Sequence, residues 1–152
     1  MHNIQNKKIF ITGATGFIGG HLFSELLDFK SILTLYCLPD EKLPLVKGIN
    51  IIYSLDIFKQ RVDYVVHLAA RVHQMNENIN DSLNLYKKVN VDFALDVAKK
   101  AIENGVKKFI FISSVKVYGN KPGFYSEDNV PRPDDPYGVS KLVIEKILDA
   151  YR

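Results

Sequence analysis

The sequence predicts an α/β domain built around a doubly wound parallel sheet. Short apolar runs alternate with longer helical patterns, as expected for strands with helices packed on both faces of a sheet. The runs are apolar throughout instead of alternating with polar residues, which is typical of parallel strands covered on both sides. Hydrophobic residues make up 47% of the 152 residues, enough for a sizeable core. A domain typically holds roughly 100–200 residues, so residues 1–152 are expected to form one domain.

Each element follows from its local pattern. Strands are predicted at residues 8–12, 32–37, 49–53, 64–68 and 108–113, where the apolar runs lie. Helices are predicted at residues 17–27, 82–104 and 137–151, where apolar residues recur at helical spacing. Gly105 is expected to end the second helix, and residues 119–136, rich in Pro, Gly, Asp and Asn, are expected to form a loop. Between Asp56 and Val62 there is little room for the helix that usually joins parallel strands.

Composition excludes several classes of protein. Lys and Arg total 20 against 17 Asp and Glu, and the excess of +3 is scattered, so no nucleic-acid groove is implied. The single cysteine, Cys37, cannot form an intrachain disulfide, which favours a reducing compartment and a cytoplasmic location. No apolar run approaches the ~20 residues of a membrane helix. The histidines show no metal-ligand spacing, so no metal site is expected.

A glycine-rich turn lies between the first predicted strand and the first predicted helix. It reads ITGATGFIG over residues 11–19, with glycines at positions 13, 16 and 19. Glycines allow the backbone to turn tightly and approach a phosphate, and the helix N-terminus offers free N–H groups and a positive dipole end. The turn therefore predicts a site for a dinucleotide pyrophosphate. The alternative is a tight turn that binds no ligand.

A tyrosine and a lysine share one face of the last predicted helix. Tyr137 and Lys141 are four residues apart, so their side chains are neighbours on that face. A nearby ammonium favours the phenolate form of a tyrosine, which suits the tyrosine to acid–base chemistry near neutral pH. Ser114 follows the fifth predicted strand, and its hydroxyl could hydrogen-bond the substrate oxygen whose proton the tyrosine exchanges. Taken alone, the four-residue spacing of Tyr137 and Lys141 is equally consistent with an exposed pair of side chains that contributes little to stability.

Taken in order along the chain, these motifs resemble the extended short-chain dehydrogenases, that is, the NAD-dependent epimerase/dehydratase family of nucleotide-sugar enzymes. The resemblance is carried by ITGATGFIG at 11–19, LD at 55–56, HLAA at 67–70, VNV at 89–91, SSVKVYG at 113–119 and YGVSK at 137–141. It implies a Rossmann-like sheet, truncated here because the C-terminal substrate domain of typical family members is lacking. It also implies catalytic roles for Ser114, Tyr137 and Lys141.

The same resemblance implies a set of cofactor contacts. Asp56, with the adjacent Ile57, would bind the adenine, and Asn90 would support Lys141 through water. Asp40 lies about 20 residues after the last glycine of the turn, which favours NAD, with NADP left open. The full set of implied cofactor-binding residues is Gly13, Gly16, Phe17, Ile18, Gly19, Asp40, Asp56, Ile57, Leu68, Ala69, Ala70, Asn90, Tyr137 and Lys141.

The implied activity is an NAD(P)-dependent epimerisation, dehydration or reduction of a nucleotide sugar, with a UDP-linked substrate expected and surface-polysaccharide synthesis as its setting. The nicotinamide would accept the hydride, because no side chain can do so. Lys116 occupies a position where epimerases commonly carry threonine, which counts against a true 4-epimerase. Together with residues 70–75 it resembles bacterial surface-polysaccharide enzymes that epimerise or reduce nucleotide-linked hexosamines. A homodimer through the second and last helices is expected. The alternatives are a non-catalytic dinucleotide-binding module, an inactive fragment and a structural domain without a ligand.

Overall fold

The computed structural model describes residues 4–41, 46, 48–72 and 84–151. The chain divides into two compact units. The first contains the described residues up to 69 together with residues 97–112, and the second contains the described parts of residues 70–96 and 113–151. No helix in the described part of the chain is both long and apolar enough to cross a membrane.

The first unit is organised around a five-stranded sheet in which every pair of neighbours is parallel. Its strands are β1 (Lys8–Thr12), β2 (Ile32–Tyr36), β3 (Ile49–Ile52), β4 (Tyr64–His67) and β5 (Lys108–Phe111), in the spatial order β3-β2-β1-β4-β5. The chain therefore starts in the middle of the sheet, builds outward to β3 and then returns to the other side of β1. This reversal confirms the predicted Rossmann-like order, and it places a switch point between β1 and β4, where ligands of such sheets bind.

The pairing register brings the carboxyl ends of all five strands into one row. Thr12 pairs with both Tyr36 and His67, Tyr36 pairs with Ile52, and His67 pairs with Phe111. The segments that leave this row carry the glycine turn after β1, Asp40 after β2, Asp56 after β3, and Leu68 and Ala69 after β4. The sheet thus collects residues that are far apart in sequence at one edge.

The core of the first unit follows the two-residue period of the strands. Alternate residues such as Ile9, Ile11 and Leu33 form a buried cluster with Phe23 and Leu26 of helix α1 (Phe17–Asp28). Residues of opposite parity include Phe10, which is fully buried and packs edge-on against Phe58 at 5.3 Å between ring centroids. Both faces of the central strand are therefore covered, which explains why its sequence is apolar throughout.

The connection from β3 to β4 is a single 3-10 turn, Leu55–Lys59, in agreement with the short spacing seen in the sequence. Asn104, just after helix α2 (Phe93–Glu103), holds this connection in place. Its Nδ2 donates to the carbonyls of Phe58 (2.7 Å) and Gln60 (3.0 Å), and its Oδ1 accepts from the Val62 N–H at 3.0 Å. One side chain thus satisfies the backbone groups that a longer helical connection would satisfy internally.

The second unit packs helix α3 (Pro136–Asp149) against two irregular helical turns. One is the π-helical turn Lys87–Asp92, and the other is the 3-10 turn Val115–Tyr118. Asp135 caps α3 through its Oδ1, which accepts from the Gly138 N–H at 2.7 Å, and Pro136 takes the first helical position, where its missing N–H costs nothing.

Most predicted elements are confirmed, with differences at their ends and in one helix. Strands predicted to end at 37, 53, 68 and 113 end one or two residues earlier, and α3 starts one residue before the predicted 137. Gly105 has φ +68 and ends the helix as predicted. The prediction of one regular helix over 82–104 was wrong in its middle, where the π-helical turn lies, while its first residues, 82 and 83, are outside the described range. The periodicity missed the π turn because the apolar residues recur every four positions, a spacing that does not distinguish a regular α-helix from one with a π-helical turn.

Candidate functional site

The glycine turn follows β1 in the first unit, and its shape depends on the absence of side chains. Gly13 has φ +74, and a Cβ there would lie 2.6 Å from the Ala69 backbone nitrogen. A Cβ on Gly19 would overlap the Gly13 carbonyl oxygen. The turn therefore packs directly against both the segment after β4 and the first turn of α1, and neither glycine can be replaced without moving backbone.

The start of α1 leaves its N–H groups available. Gly16 is the N-cap residue and makes no side-chain capping hydrogen bond. Phe17 is 84% exposed and Ile18 is 55% exposed, so neither side chain is folded back over the turn. A turn that is closed by glycines and opens onto uncapped N–H groups fits a pyrophosphate. Among the described residues no three His, Cys, Asp or Glu side chains converge as metal ligands would.

The ends of β1 and β4 are tied together at the base of the turn. Thr12 Oγ1 lies 2.9 Å from His67 Nδ1 and accepts from the Ala69 N–H at 3.2 Å, and the Leu68 N–H donates to the Thr12 carbonyl at 3.1 Å. His67 is fully buried between these contacts and the rings of Phe109 and Phe111 in β5. Leu68 and Ala69 remain half-buried beside the turn, and Ala70, the first residue of the second unit, is half-buried as well.

The segment after β2 presents a carboxylate that sequence reasoning did not single out. Glu41 Oε1 accepts from the Thr15 hydroxyl at 2.6 Å, and Oε2 accepts from the Leu38 N–H at 2.7 Å. The predicted residue, Asp40, is exposed and makes no hydrogen bond to any residue that the structure describes. Two consecutive acidic residues look alike in the sequence, and only the fold decides which one turns toward the glycine turn. Burial, with a smaller contribution from the Glu41 carboxylate, raises the pKa of the nearby Cys37 thiol.

Asp56 lies in the 3-10 turn after β3 and is engaged locally. Its Oδ1 is 2.9 Å from Lys59 Nζ, and its Oδ2 accepts from the Ser54 hydroxyl at 3.0 Å. Lys59 and Ser54 together hold the pKa of the Asp56 carboxyl below its usual range. Both partners of the ion pair are exposed, so the pair adds little stability. The side chain of Ile57 lies outside what the structure describes, and adenine binding by either residue stays a prediction.

In the second unit, Tyr137 and Lys141 lie on the same face of α3, as the spacing predicts. Lys141 Nζ is 5.8 Å from the centroid of the Tyr137 ring. The centroids of the Tyr86 and Tyr137 rings are 6.4 Å apart. Lys141 is only 3% exposed. Burial lowers the pKa of its ammonium from 10.5 to about 8, partly opposed by the Glu145 carboxylate. A buried lysine near a tyrosine is not the exposed pair that the sequence left open.

Ser114 begins the 3-10 turn that packs against α3. Its Oγ accepts from the Lys116 N–H at 3.2 Å, and it is half-buried. Gly138 allows the close approach of the two elements, since a Cβ there would lie 2.5 Å from the Lys116 carbonyl oxygen. Residue 138 therefore has to be small for the 3-10 turn after Ser114 to pack against α3.

Lys116, the residue that differs from the common epimerase pattern, has partners within the fold. Its Nζ contacts Asn120 Oδ1 and lies 3.9 Å from Asp135 Oδ2. Asp135 is the residue that caps α3. The lysine therefore places a positive charge beside the carboxylate that starts the helix carrying Tyr137.

Asn90 sits in the π-helical turn, is 1% exposed and joins three segments of the second unit. Its Oδ1 accepts from the Arg71 N–H at 2.7 Å, and its Nδ2 donates to the Arg71 carbonyl (3.0 Å) and to Ser140 Oγ (2.9 Å). Ser140 Oγ in turn donates to the Tyr137 carbonyl at 2.7 Å. The amide thus reaches α3 through Ser140. Support of Lys141 through water stays a prediction.

Comparison with known proteins identifies the relatives of this fold and site. The model of the NAD dependent epimerase/dehydratase family matches residues 9–152. A UDP-glucose 4-epimerase of Vibrio cholerae is 40% identical over 154 residues, which cover 95% of this chain and 47% of that protein.

Solved structures give the same answer. UDP-glucuronic acid 4-epimerase from Bacillus cereus in complex with NAD superposes with a TM-score of 0.79 at 31% identity, covering 95% of this chain and 52% of that one. UDP-N-acetylglucosamine 4-epimerase from Methanobrevibacter ruminantium M1 superposes with a TM-score of 0.82 at 29% identity, covering 97% and 51%. The chain thus spans about half the length of the relatives it matches. It belongs to the NAD-dependent epimerase/dehydratase family.

Proposed function

We propose that this chain is the cofactor-binding part of an NAD-dependent 4-epimerase that acts on a UDP-linked sugar. The family match and the named relatives support this reading, since curated and solved relatives at 29–40% identity are UDP-sugar 4-epimerases. A reductase is the second possibility within the family, because an Escherichia coli dTDP-4-dehydro-6-deoxyglucose reductase is 31% identical over 95% of the chain.

The observation that carries the proposal is the buried lysine beside Tyr137. Burying an ammonium is costly, so a lysine that is 3% exposed on a helix of a small protein needs a reason. Perturbed lysines are typical of functional sites, where a positive charge in a region of low polarity acts strongly on its neighbours. Here that neighbour is the phenol of Tyr137, one turn earlier on the same helix, whose ring centroid lies 5.8 Å from Lys141 Nζ.

The chemistry then follows from the residues of the second unit. Tyr137 removes the proton from the sugar hydroxyl and later returns it. Lys141 stabilises the phenolate form of Tyr137, which is the form that accepts this proton. Ser114 donates a hydrogen bond to the sugar oxygen as its charge changes. NAD, when bound, would supply the nicotinamide ring, which can take a hydride from the sugar carbon and return it to the opposite face, so that the carbon is inverted.

The residues of the first unit bind and orient the cofactor in this proposal. Gly13, Gly16 and Gly19 make room for the pyrophosphate, and the N–H groups at Phe17 and Ile18 donate to it. Leu68 and Ala69 pack against the cofactor from the end of β4, and Ala70 follows them in the chain. These assignments, like the expected homodimer through α3, are tested by binding and by solution molar mass.

A second candidate is a dinucleotide-binding module without turnover. The glycine turn supports it, because the turn can hold a dinucleotide whether or not Tyr137 takes part in a reaction. The two candidates share the cofactor site and differ in whether Tyr137 takes part in a reaction. They are therefore separated by chemistry and not by binding.

The test combines calorimetric titration with NAD⁺ and a turnover assay on UDP-glucose, UDP-N-acetylglucosamine and UDP-glucuronic acid. Wild type is compared with Tyr137→Phe and with the control Tyr151→Phe, which removes the hydroxyl of a half-exposed tyrosine after α3. We expect NAD⁺ binding in all three and turnover lost in Tyr137→Phe alone. Binding without turnover selects the non-catalytic module, and equal turnover in all three proteins refutes the catalytic role of Tyr137. No NAD⁺ binding by wild type refutes both candidates.

A further inference from the structure

The inference concerns the short segment after β2 and rests on the proposed function. Residues 37–41 form a tight turn in which the Glu41 N–H donates to the Leu38 carbonyl at 3.0 Å while the Leu38 N–H donates to Glu41 Oε2 at 2.7 Å. These reciprocal bonds fix both the backbone and the carboxylate of Glu41. The Cys37 N–H is anchored to the Ile52 carbonyl at 3.0 Å, so the turn starts from the sheet itself.

The glycine turn supplies the third point of attachment. Thr15 lies between Gly13 and Gly16, and its hydroxyl donates to Glu41 Oε1 at 2.6 Å. A residue 26 positions away in sequence is thereby held against the turn that fits a pyrophosphate. Asp40, its neighbour in sequence, points elsewhere: it is exposed and bonds to no described residue.

A fixed carboxylate at this place has a defined effect on nucleotide choice. A carboxylate after the second strand of such a sheet accepts a hydrogen bond from the 2′-hydroxyl of the adenosine ribose. A carboxylate has about four acceptor positions, of which Thr15 and Leu38 use two, so the group can accept more. A 2′-phosphate carries about −1.5 to −2 charges at neutral pH and would be repelled by the same group.

We propose that Glu41 is the residue that selects NAD(H) over NADP(H) in this chain, and that Thr15 is a positioning residue for its carboxylate. The position directly after β2, where such a residue is usually found, holds the buried Cys37, whose thiol does not supply a carboxylate charge. The turn brings the carboxylate in from four residues further along the chain. Selection therefore depends on the Thr15–Glu41 hydrogen bond as well as on the acid itself.

The experiment measures Kd for NAD⁺ and for NADP⁺ by calorimetry on the full chain. The variants are Glu41→Gln, Asp40→Asn and the charge control Glu25→Gln, which removes an exposed carboxylate from α1. We expect Glu41→Gln to raise the Kd for NAD⁺ about tenfold, as the loss of one hydrogen bond to a charged group implies. The ratio of the NADP⁺ Kd to the NAD⁺ Kd should fall by at least about tenfold. Glu25→Gln should leave both constants unchanged.

The hydroxyl of Thr15 is tested separately. Thr15→Val keeps the shape of the side chain and loses the donor, so it should lower the NAD⁺ preference, whereas Thr15→Ser keeps the donor and should retain it. Circular dichroism and thermal melting check that each variant is folded.

Each outcome decides between named possibilities. An unchanged NAD⁺ to NADP⁺ ratio in Glu41→Gln, with NAD⁺ still bound, overturns the inference and leaves the proposed function intact. A shift seen in Asp40→Asn instead returns the role to Asp40. A wild type that prefers NADP⁺ overturns the role of Glu41, and a wild type that binds neither nucleotide overturns the proposed function itself.

Discussion

Replacing Lys141 with methionine should make the chain more stable at neutral pH, although the lysine belongs to the proposed catalytic site. Methionine has a similar length and fills the same space without a charge. The lysine is 3% exposed, and burial lowers the pKa of its ammonium from 10.5 to about 8. Each unit of pKa difference between the unfolded and the folded chain is worth about 1.4 kcal/mol, so the lowered pKa of Lys141 corresponds to a loss of about 3 kcal/mol of unfolding free energy at pH 7. A functional lysine would thus be kept at a cost in stability.

The sign of the pH dependence follows from proton binding. Between pH 8 and 10.5 the unfolded chain holds the Lys141 proton more tightly than the folded one, so wild-type stability should rise with pH across this window. Below pH 8 the lysine is protonated in both states, and the full cost is present. Lys141→Met should lack this rise, and other titrating groups cancel in the comparison of the two proteins.

The assay is urea unfolding followed by circular dichroism at pH 7, 8, 9 and 10. Lys146→Met serves as the control, because it changes an exposed lysine on the same helix and should alter neither the midpoint nor its pH dependence appreciably. The reasoning is refuted if Lys141→Met unfolds at lower urea than wild type at pH 7, or if both proteins show the same rise between pH 8 and 10.

Three further predictions concern the first unit. Gly19→Ala should lower the unfolding free energy by about 1–3 kcal/mol and abolish NAD⁺ binding, because the new Cβ overlaps the glycine turn. Gly20→Ala, whose Cβ meets nothing nearer than 3.9 Å, should raise the unfolding free energy by up to about 1 kcal/mol. Urea unfolding and calorimetric titration with NAD⁺ compare the two variants. Asn104→Ala should lower the unfolding free energy by about 2–3 kcal/mol, since it frees the backbone groups of the β3–β4 connection; a loss below 0.5 kcal/mol in urea melts contradicts this. Asp63→Asn should remove an acid-dependent contribution of about 2 kcal/mol, because the Lys8 N–H and then Lys107 hold the pKa of the Asp63 carboxyl down at about 2. Thermal melts should show wild type losing this stability as pH falls from about 4 through 2, and an equal acid loss in the variant argues against it.

Much of the fold was predictable because parallel strands and their helices have strong local patterns. The five apolar runs became the five strands, and the glycine turn was found at the predicted strand–helix junction. Ends were less well predicted: Cys37 continues the apolar run of β2, yet its N–H already bonds to Ile52 as part of the following turn. The π-helical turn around Asn90 was not predicted, since the apolar residues of this helix recur every four positions, a spacing that fits an α-helix and a π-helical turn alike.

By itself the sequence determined the order of strands and helices, the place of the glycine turn and the shared helix face of Tyr137 and Lys141, since these depend on spacing along a few neighbouring residues. Only the tertiary structure decided that Lys141 is buried, that Glu41 and not Asp40 contacts the glycine turn, and that Asn104 closes the shortened connection. The physical reason is the same in each case. Burial and hydrogen bonding depend on which distant segments the sheet and helices bring together, and a single chain of letters does not contain those distances.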